Sequence, residues 1–399
     1  MKIGLLMAEY PAAGAGHGGM ATYVYNMANA ISRLGHRVHV AQKSGVAADP
    51  LEKGVSLAAL SPGPLGRLQR WRRRFEYPEI LHQRKWSMAA RRYFEGVHRA
   101  EGLEVVQVPD YNGEAVAFQG LPFKLVVRLH TPSFLVDRLN GVEPDKRRRA
   151  WYALEEKAIQ RADGITASSV SLKKEVCAYY GIREEKVTVI RNPVDTLAFS
   201  PSDKKQEERE GDEVVLLFVG RLERRKGVDL LLPAVRDVLA RHPNARFVFA
   251  GGSPQGYSCS YTDVLESEAA KYPGRVTLLG ALERERLPDV YRGADIFIIP
   301  SLFDNSPNAL FEAMASGLPC VGSDTGGINE IIRHGETGLL FDPLRPGALS
   351  EGLSAIIREP LKRRALAKAA REAVVREYDP LKIAAETVDY YRNLLDKAP

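Results

Sequence analysis

Short apolar runs bounded by turn residues alternate with longer segments of helical periodicity, and this alternation passes along the chain twice. Few folds satisfy such a pattern: each apolar run must be a strand buried on both faces, and each periodic segment a crossover helix, which predicts parallel α/β architecture. In the first half the strand candidates are Ile3 to Met7, Val38 to Ala41, Val105 to Val108, Leu125 to Leu129, Gly164 to Ala167 and Val187 to Ile190. Near Ser200 the pattern stops. The stretch PSDKKQEEREGDE, Pro201 to Glu213, is nearly all polar and predicts a solvated linker or surface loop. A second series follows, with candidates at Val214 to Val219, Ala245 to Ala250, Val276 to Leu279, Ile296 to Ile299, Pro319 to Ser323 and Gly338 to Phe341. The expected organisation is a Rossmann-like domain over 1–195, a linker over 196–213, and a second Rossmann-like domain over 214–377. A final helix, 378–399, is expected to pack back on the first domain. Ligands of doubly wound sheets bind beyond the carboxyl ends of the strands, so a cleft between the domains is the expected site.

At 399 residues and 45% hydrophobic content, the chain has enough apolar material for two cores, which excludes a single small binding module. A formal charge of +6 favours acidic partners without choosing among phosphorylated small molecules, nucleic acid and anionic membrane. Cys177, Cys259 and Cys320 are far apart and show no CxxC spacing, so neither a disulfide framework nor a zinc site is expected, and a reducing cytosol fits. The opening MKIGLLMAEYP has too short an apolar run for a signal peptide, and no segment is long and apolar enough to predict a membrane span.

Gly14, Gly16 and Gly19 in GAGHGG satisfy the GxGxxG pattern of dinucleotide-binding domains. Two details argue against that reading. Glu9 to Ala13 separate the strand from the glycines, and the next strand runs into Gln42 and Lys43 where an acidic ribose ligand is required. A surface turn remains open, as does a glycine loop whose backbone N–H groups approach a phosphate or sugar.

The richest segment runs from Pro300 to Pro343, PSLFDNSPNALFEAMASGLPCVGSDTGGINEIIRHGETGLLFDP. Ser306 suits an N-cap, Pro307 a first helical position and Gly317 a helix end, so a helix is predicted to start directly after a strand. The N–H groups of Asn308, Ala309 and Leu310 would then face an anion, aided by the helix dipole. Asp304 precedes this start and Glu312 lies two turns beyond it. One carboxylate can reach a sugar while the other accepts from ribose hydroxyls, although both could equally be solvated helix-end charges. A second group, GRLERRKGVD, follows the strand Val214 to Val219 and places Arg221 and Lys226 where two fixed cations can hold a diphosphate. Gly220 and Gly227 permit its turns, and Arg224 and Arg225 read as solvated companions.

These motifs together closely resemble the retaining glycosyltransferases of family 4, and the resemblance covers nearly the whole chain. Its strongest part is the acid-x7-acid signature, Asp304 to Glu312, followed by EAMASGLP, TGGINEII and HGETGLLFDP; GRLERRKGVD, AGGSP at Gly251 and Gly252, RLHTPS around His130 and NPVD at Asn192 to Asp195 support it. The first acid is Asp where the family usually has Glu, and NPVD stands where NGVD is usual. The resemblance implies a GT-B fold, two Rossmann-like doubly wound domains facing across a cleft. It also implies a hexosyl transfer from a nucleoside diphosphate sugar to a glycan or lipid-linked acceptor, in cell-surface polysaccharide or glycoconjugate synthesis. Carried over by position, Arg221 and Lys226 would bind the diphosphate, Glu312 the ribose, and Asp304 the transferred sugar. His130 would contact that sugar from the first domain. Gly18 and Gly19, with Gly220, Gly252, Ser306, Asn308, Ala309 and Leu310, would line the donor site. No cofactor is implied, and the absence of any Asp-x-Asp sequence leaves the metal-dependent arrangement of other glycosyltransferases without support.

Between Arg67 and Arg99, and again at Lys146 to Tyr152, arginines and lysines interleave with aromatic residues. Such segments can rest peripherally on the inner face of an anionic membrane, stack on an acceptor, or form a solvated face. Nucleic acid is not expected, since no recognition module accompanies them. The residues also leave open a same-fold phosphorylase or epimerase, a dehydrogenase, and a non-catalytic nucleotide-binding protein.

Overall fold

The computed structural model describes residues 1–7, 18–43, 52–62, 77–201, 213–253 and 260–397. The chain forms two compact units, residues 1–193 with 380–399, and residues 194–379.

The first unit is built on a parallel sheet of seven strands: β1 Lys2–Met7, β2 Arg37–Lys43, β3 Val55–Leu60, β4 Val105–Pro109, β5 Lys124–Leu129, β6 Gly164–Ala167 and β7 Val187–Val189. Their spatial order is β3-β2-β1-β4-β5-β6-β7, so the winding reverses between β1 and β4. The central strands are buried along their length because helices cover both faces, as the apolar runs require. The strand β3 has no counterpart among the sequence candidates. It is a half-exposed edge of small residues, VSLAAL, which gives little β signal. The helix Pro78–Glu101 begins with Pro in its first turn and ends at Gly102, whose φ of 73° supplies the left-handed cap. The C-terminal helix Pro380–Asp396 lays Ile383, Ala384, Val388 and Tyr391 into the core shared with the helix Gly19–Arg33, and the Tyr391 hydroxyl donates to Gln107 Oε1 at 2.8 Å.

The second unit carries six parallel strands: β8 Val214–Val219, β9 Ala245–Ala250, β10 Val276–Gly280, β11 Ile296–Ile299, β12 Cys320–Ser323 and β13 Gly338–Phe341. Their order is β10-β9-β8-β11-β12-β13, and here the winding reverses between β8 and β11, which pair through Ile296 with Leu216 and Phe297 with Leu217. Apolar clusters cover both faces, one built on Leu216, Phe247 and Ile298 and the other on Leu217, Phe297 and Phe311. The boundary differs from the expected linker. Val194 already belongs to this unit, and Phe199 is buried against Tyr291 at a centroid distance of 5.7 Å, so the polar break begins later than residue 196. Residues 202–212 lie outside the described residues.

Candidate active site

In an open doubly wound sheet, the loops on either side of the reversal splay apart at the carboxyl edge and leave room for a ligand. In the second unit those loops follow β8 and β11, and they carry the two groups singled out by sequence. Gly220 N–H donates to Ala250 O at 2.9 Å and Leu222 N–H to Gly252 O at 3.0 Å, which fixes the start of the β8 loop against the end of β9. Nothing lies within 4 Å of a Cβ built on Gly252, so that position faces open space. The loop closes through a short 3-10 turn, Arg224–Lys226, into the helix Val228–Arg241. Gly227 is required where they meet: its φ is 76°, and a Cβ would stand 1.9 Å from Pro300 O.

The charges of the two loops interlock. Lys226 Nζ bonds to Asp304 Oδ2, which Ser301 Oγ also approaches at 3.4 Å. Arg225 Nη1 lies 4.0 Å from Asp304 Oδ1, while Arg225 Nη2 donates to Glu223 Oε1 at 2.8 Å. Arg221 Nη2 reaches the same Glu223 oxygen at 3.2 Å. The side chains of Glu223 and Arg225 are 2% and 5% exposed, against 57% for Arg221 and 19% for Lys226. Arg225 is therefore not the solvated companion expected from the run of basic residues. It is the buried centre of the network, and only Arg224, at 55%, faces water. Burial alone would push the Asp304 carboxyl up, but Lys226 and Arg225 outweigh it and hold Asp304 below its usual value, hence ionised. Burial pulls the Lys226 ammonium down, and Asp304 opposes that.

The helix after β11 starts one residue later than expected. It spans Asn308–Ala315 with Pro307 at the cap, because Pro307 has extended backbone (ψ 111°) and Ser306 lies outside the helix. Leu310 N–H donates to Pro307 O at 3.0 Å, so it is not an anion donor, and its side chain is buried in the core. Asn308 and Ala309 occupy the first turn of the helix. Gly317, φ 73°, follows the helix end as expected. Glu312 points inward, where Tyr291 Oη donates to its Oε2 at 2.9 Å. Burial raises its carboxyl, with Arg284 and Tyr291 opposing. The loop Leu302–Ser306 is itself braced from the turn after β12: Gly327 N–H donates to Asp304 O at 2.6 Å, and a Cβ on Gly327 would meet Asn305 O at 1.7 Å. This backbone approach accounts for the glycine pair of TGGINEII.

In the first unit, Gly18 precedes the helix Gly19–Arg33 with extended backbone and no side-chain cap, and a Cβ there would meet nothing. Gly14 and Gly16 lie outside the described residues. His130 follows β5 and is buried. Its backbone N–H donates to Asp110 Oδ1 at 3.0 Å, and its ring meets Tyr23 edge-on at 5.4 Å. Burial, with Arg128 adding, pushes the imidazole down to about 3, so His130 is neutral at working pH. Arg128 in turn donates to Asn192 Oδ1 at 2.8 Å and Ile190 O at 2.7 Å, and stacks over Tyr23 at 4.5 Å. RLHTPS and NPVD are thus joined by one buried arginine.

Of the sequence-predicted residues, Arg221, Lys226, Asp304, Glu312, Gly220, Gly252, Ser306, Asn308 and Ala309 gather at the carboxyl edge of the second sheet. His130, Gly18 and Gly19 belong to the first unit. Tyr291, Asp110 and Glu155 carry no sequence signal that singles them out, because their partners are distant in the chain; Glu223 and Arg128 lie within GRLERRKGVD and RLHTPS, but those motifs predict no role for them. Among the described residues, no helix is long and apolar enough to cross a membrane, and no group of three His, Cys, Asp or Glu side chains is placed to hold a metal ion. The basic segment around Arg67 to Arg74 lies outside the described residues. In the helix Lys146–Gln160, Arg147 pairs with Glu79 at 2.8 Å and Arg148 with Asp137 at 2.5 Å.

Two family models match the chain in succession, Glycosyltransferase Family 4 over residues 17–197 and Glycosyl transferases group 1 over residues 199–373. An uncharacterised glycosyltransferase of Methanocaldococcus jannaschii is 29% identical over 98% of both chains. Among solved structures, sucrose-phosphate synthase of Thermosynechococcus elongatus superposes with a TM-score of 0.80 at 24% identity, covering 98% of each chain. HepE of Anabaena, in complex with UDP-glucose, superposes with a TM-score of 0.72 at 20% identity, covering 98% of this chain and 100% of its own. The two sheets, their reversal points and the two successive matches agree, and the chain is a glycosyltransferase of family 4 with the GT-B fold.

Proposed function

We propose that this glycosyltransferase moves a hexosyl group, with retention of configuration, from a nucleoside diphosphate sugar to a glycan or lipid-linked acceptor. The observation that carries the reading is the meeting of Arg221, Lys226 and Asp304 at the β8/β11 reversal, beside the start of the helix Asn308–Ala315. Arg221 and Lys226 would take the diphosphate, with the N–H groups of Asn308 and Ala309 adding the helix dipole. Glu312 would accept from the ribose and Asp304 would touch the sugar. His130 would contribute a neutral imidazole to the same sugar. The UDP-glucose complex of HepE supports a uridine donor.

In the reaction, the bond from the anomeric carbon to the diphosphate breaks and a bond to the acceptor oxygen forms on the same face. The acceptor's hydroxyl proton passes to a departing phosphate oxygen, so no protein base is needed. The chain's contribution is preorganised positive charge where negative charge grows, and in this reading no metal ion is required. The reading extends to peripheral association with anionic membrane through Arg72 to Arg74 beside Trp71 and Phe75, which liposome flotation with anionic against neutral vesicles measures.

The deciding experiment is a thermal-shift screen of nucleotide sugars, followed by mass spectrometry of products and proton NMR of the first product formed. A retained anomer is expected. An inverted linkage would overturn the mechanism, and phosphate-dependent cleavage without transfer would move the chain to the phosphorylases.

A further inference from the structure

In the first unit, β4 and β5 are neighbours, and each ends in a loop at the carboxyl edge of the sheet. The loop after β4 is Asp110–Gly113, and the loop after β5 is His130–Ser133. Two buried carboxylates, neither of which contributes a charge to the donor site, tie these loops together. Asp110 is fully buried: its N–H donates to Arg128 O at 3.0 Å, and its Oδ1 accepts the backbone N–H of His130 at 3.0 Å. Glu155, also fully buried, reaches up from the helix Lys146–Gln160 and accepts from both loops. Its Oε1 takes Asn112 N–H at 3.0 Å and Ser133 Oγ at 2.6 Å, and its Oε2 takes Ser133 N–H at 2.9 Å and Tyr180 Oη at 3.4 Å.

The loop so held includes a backbone position in the sparsely populated left-handed region, which asparagine enters more readily than other side chains. Asn112 has φ 58°, the one left-handed residue other than glycine among the described residues. Gly113, φ 60°, presses on the helix behind it, where a Cβ would meet the Leu154 side chain at 2.8 Å. Left-handed backbone persists where surrounding contacts over-determine it, and here the contact is the Glu155 carboxyl on the Asn112 N–H. Burial raises the Glu155 carboxyl, and the hydrogen bonds from Ser133 and Asn112 offset part of that cost only while both loops stay in place.

We propose that Asp110 and Glu155 are positioning residues that act through His130, clamping the β4 and β5 loops so that the imidazole is presented in one fixed orientation. The proposal rests on the assignment of His130 to the donor sugar. Neither carboxylate touches substrate in this scheme. The clamp sets the backbone of 130–133, and the buried wall it maintains keeps the imidazole neutral, in line with its depressed pKa of about 3.

The test is a double-mutant cycle read with donor and acceptor saturating, together with NMR of the His130 ring in protein labelled at histidine nitrogen. Asp110→Ala should lower kcat by about ten- to a hundredfold, the scale of a small misplacement at a reacting centre, with a smaller change in donor KM. Asp110→Asn keeps an oxygen for the His130 N–H and should restore most of the loss. In a His130→Ala background, Asp110→Ala should add less than about twofold. In Glu155→Gln, which changes shape least and covers the case of Asp110→Ala failing to fold, the His130 ring should begin to titrate between pH 5 and 8, where the unaltered protein shows no change. Multiplicative losses in the cycle, an Asp110→Asn variant as impaired as Asp110→Ala, or an unmoved His130 resonance in Glu155→Gln would each overturn the proposal. Full turnover by His130→Ala would instead overturn the assignment of His130 to the sugar, while the ring titration would still report on the clamp.

Discussion

Arg225→Ala should unfold the second unit well before Arg224→Ala does, although the two arginines are adjacent and their codes are interchangeable on paper. Arg225 is the nearest cation to Glu223, at 2.8 Å, and both side chains are almost wholly buried. Removing one partner of a buried pair leaves the other charge in a medium that cannot solvate it, at a cost of about 3–5 kcal/mol. Arg221 still approaches Glu223 at 3.2 Å, which places the loss near the lower end, about 3 kcal/mol. For a unit of this size each kcal/mol moves the midpoint by roughly 2–4 °C, so a drop of roughly 6–12 °C is expected in the calorimetric transition of the second unit. Arg224 is half exposed, 3.9 Å from an equally exposed Asp229, and its removal should stay within about 0.5 kcal/mol. A double variant, Glu223→Gln with Arg225→Met, removes both charges and should recover most of the loss, since an uncharged buried pair carries no stranded ion. Differential scanning calorimetry of the four proteins decides the matter. Equal midpoints for Arg224→Ala and Arg225→Ala, or a double variant less stable than Arg225→Ala alone, would refute the buried network.

Arg221→Ala should lower turnover by roughly a hundred- to a thousandfold, with an unchanged melting temperature because its side chain is mostly in water; steady-state kinetics and circular dichroism check both. Lys226→Ala should cost a similar factor and also lower the melting temperature, since Asp304 loses its nearest counter-ion; kinetics that fall with an unmoved melt would contradict the pairing. Activity should survive EDTA, and rescue of a chelated enzyme by manganese or magnesium would refute the metal-free reading. Burial raises Asp110 and Glu114 to about 7 and Glu155 to about 8. Carboxyls raised on folding bind protons that the unfolded chain releases, so their stabilisation is complete below about pH 4 and is lost as pH rises towards 7–8. The depressed imidazoles of His130, His39 and His36 act in the opposite sense below about pH 6.5, so the melting of the first unit should fall between about pH 6.5 and 8, and Glu114→Gln should flatten that slope. A transition that rises over this range would refute the assignment.

The sequence makes legible whatever is decided locally. Strands such as Val214–Val219 and Gly164–Ala167 are apolar runs ended by turn residues, and the structure reproduces their bounds. The edge strand Val55–Leu60 escapes because half-exposed small residues lack the buried run that marks its neighbours. At the helix Asn308–Ala315, Ser306 as cap and Pro307 as first residue predict one start, and the helix begins one residue later with Pro307 at the cap. The loop before it is held from a distant turn, where Gly327 N–H donates to Asp304 O, a contact that local preference does not contain. Arg224 and Arg225 pose the same difficulty in sharper form. Consecutive residues of a 3-10 turn point in different directions, and which of them enters the protein is set by Glu223 and Asp304, the latter nearly eighty positions away. Tyr291 with Glu312, and Glu155 with Ser133, are likewise pairs made by the fold.

The order of charges across the donor loops explains how a cationic site can stand built before any anion arrives. From Arg221 through Glu223, Arg225 and Asp304 to Lys226, each charge has an opposite neighbour, and the two anions are the buried ones on either side of the buried Arg225. Three cations packed without those carboxylates would repel one another and lose solvation together. With them, the excess positive charge is carried at the ends, on Arg221 and Lys226, which are the two side chains with access to solvent. A diphosphate reaching this edge would therefore meet the unbalanced ends of a ladder whose middle is already neutralised and fixed. Reorganisation is then confined to exchanging solvent and part of the Asp304 contact for phosphate oxygens, which is the condition under which charge stabilisation favours the transition state. At position 304 the carboxylate joins both sides of this ladder, bonded to Lys226 through Oδ2 and with Arg225 on the side of Oδ1.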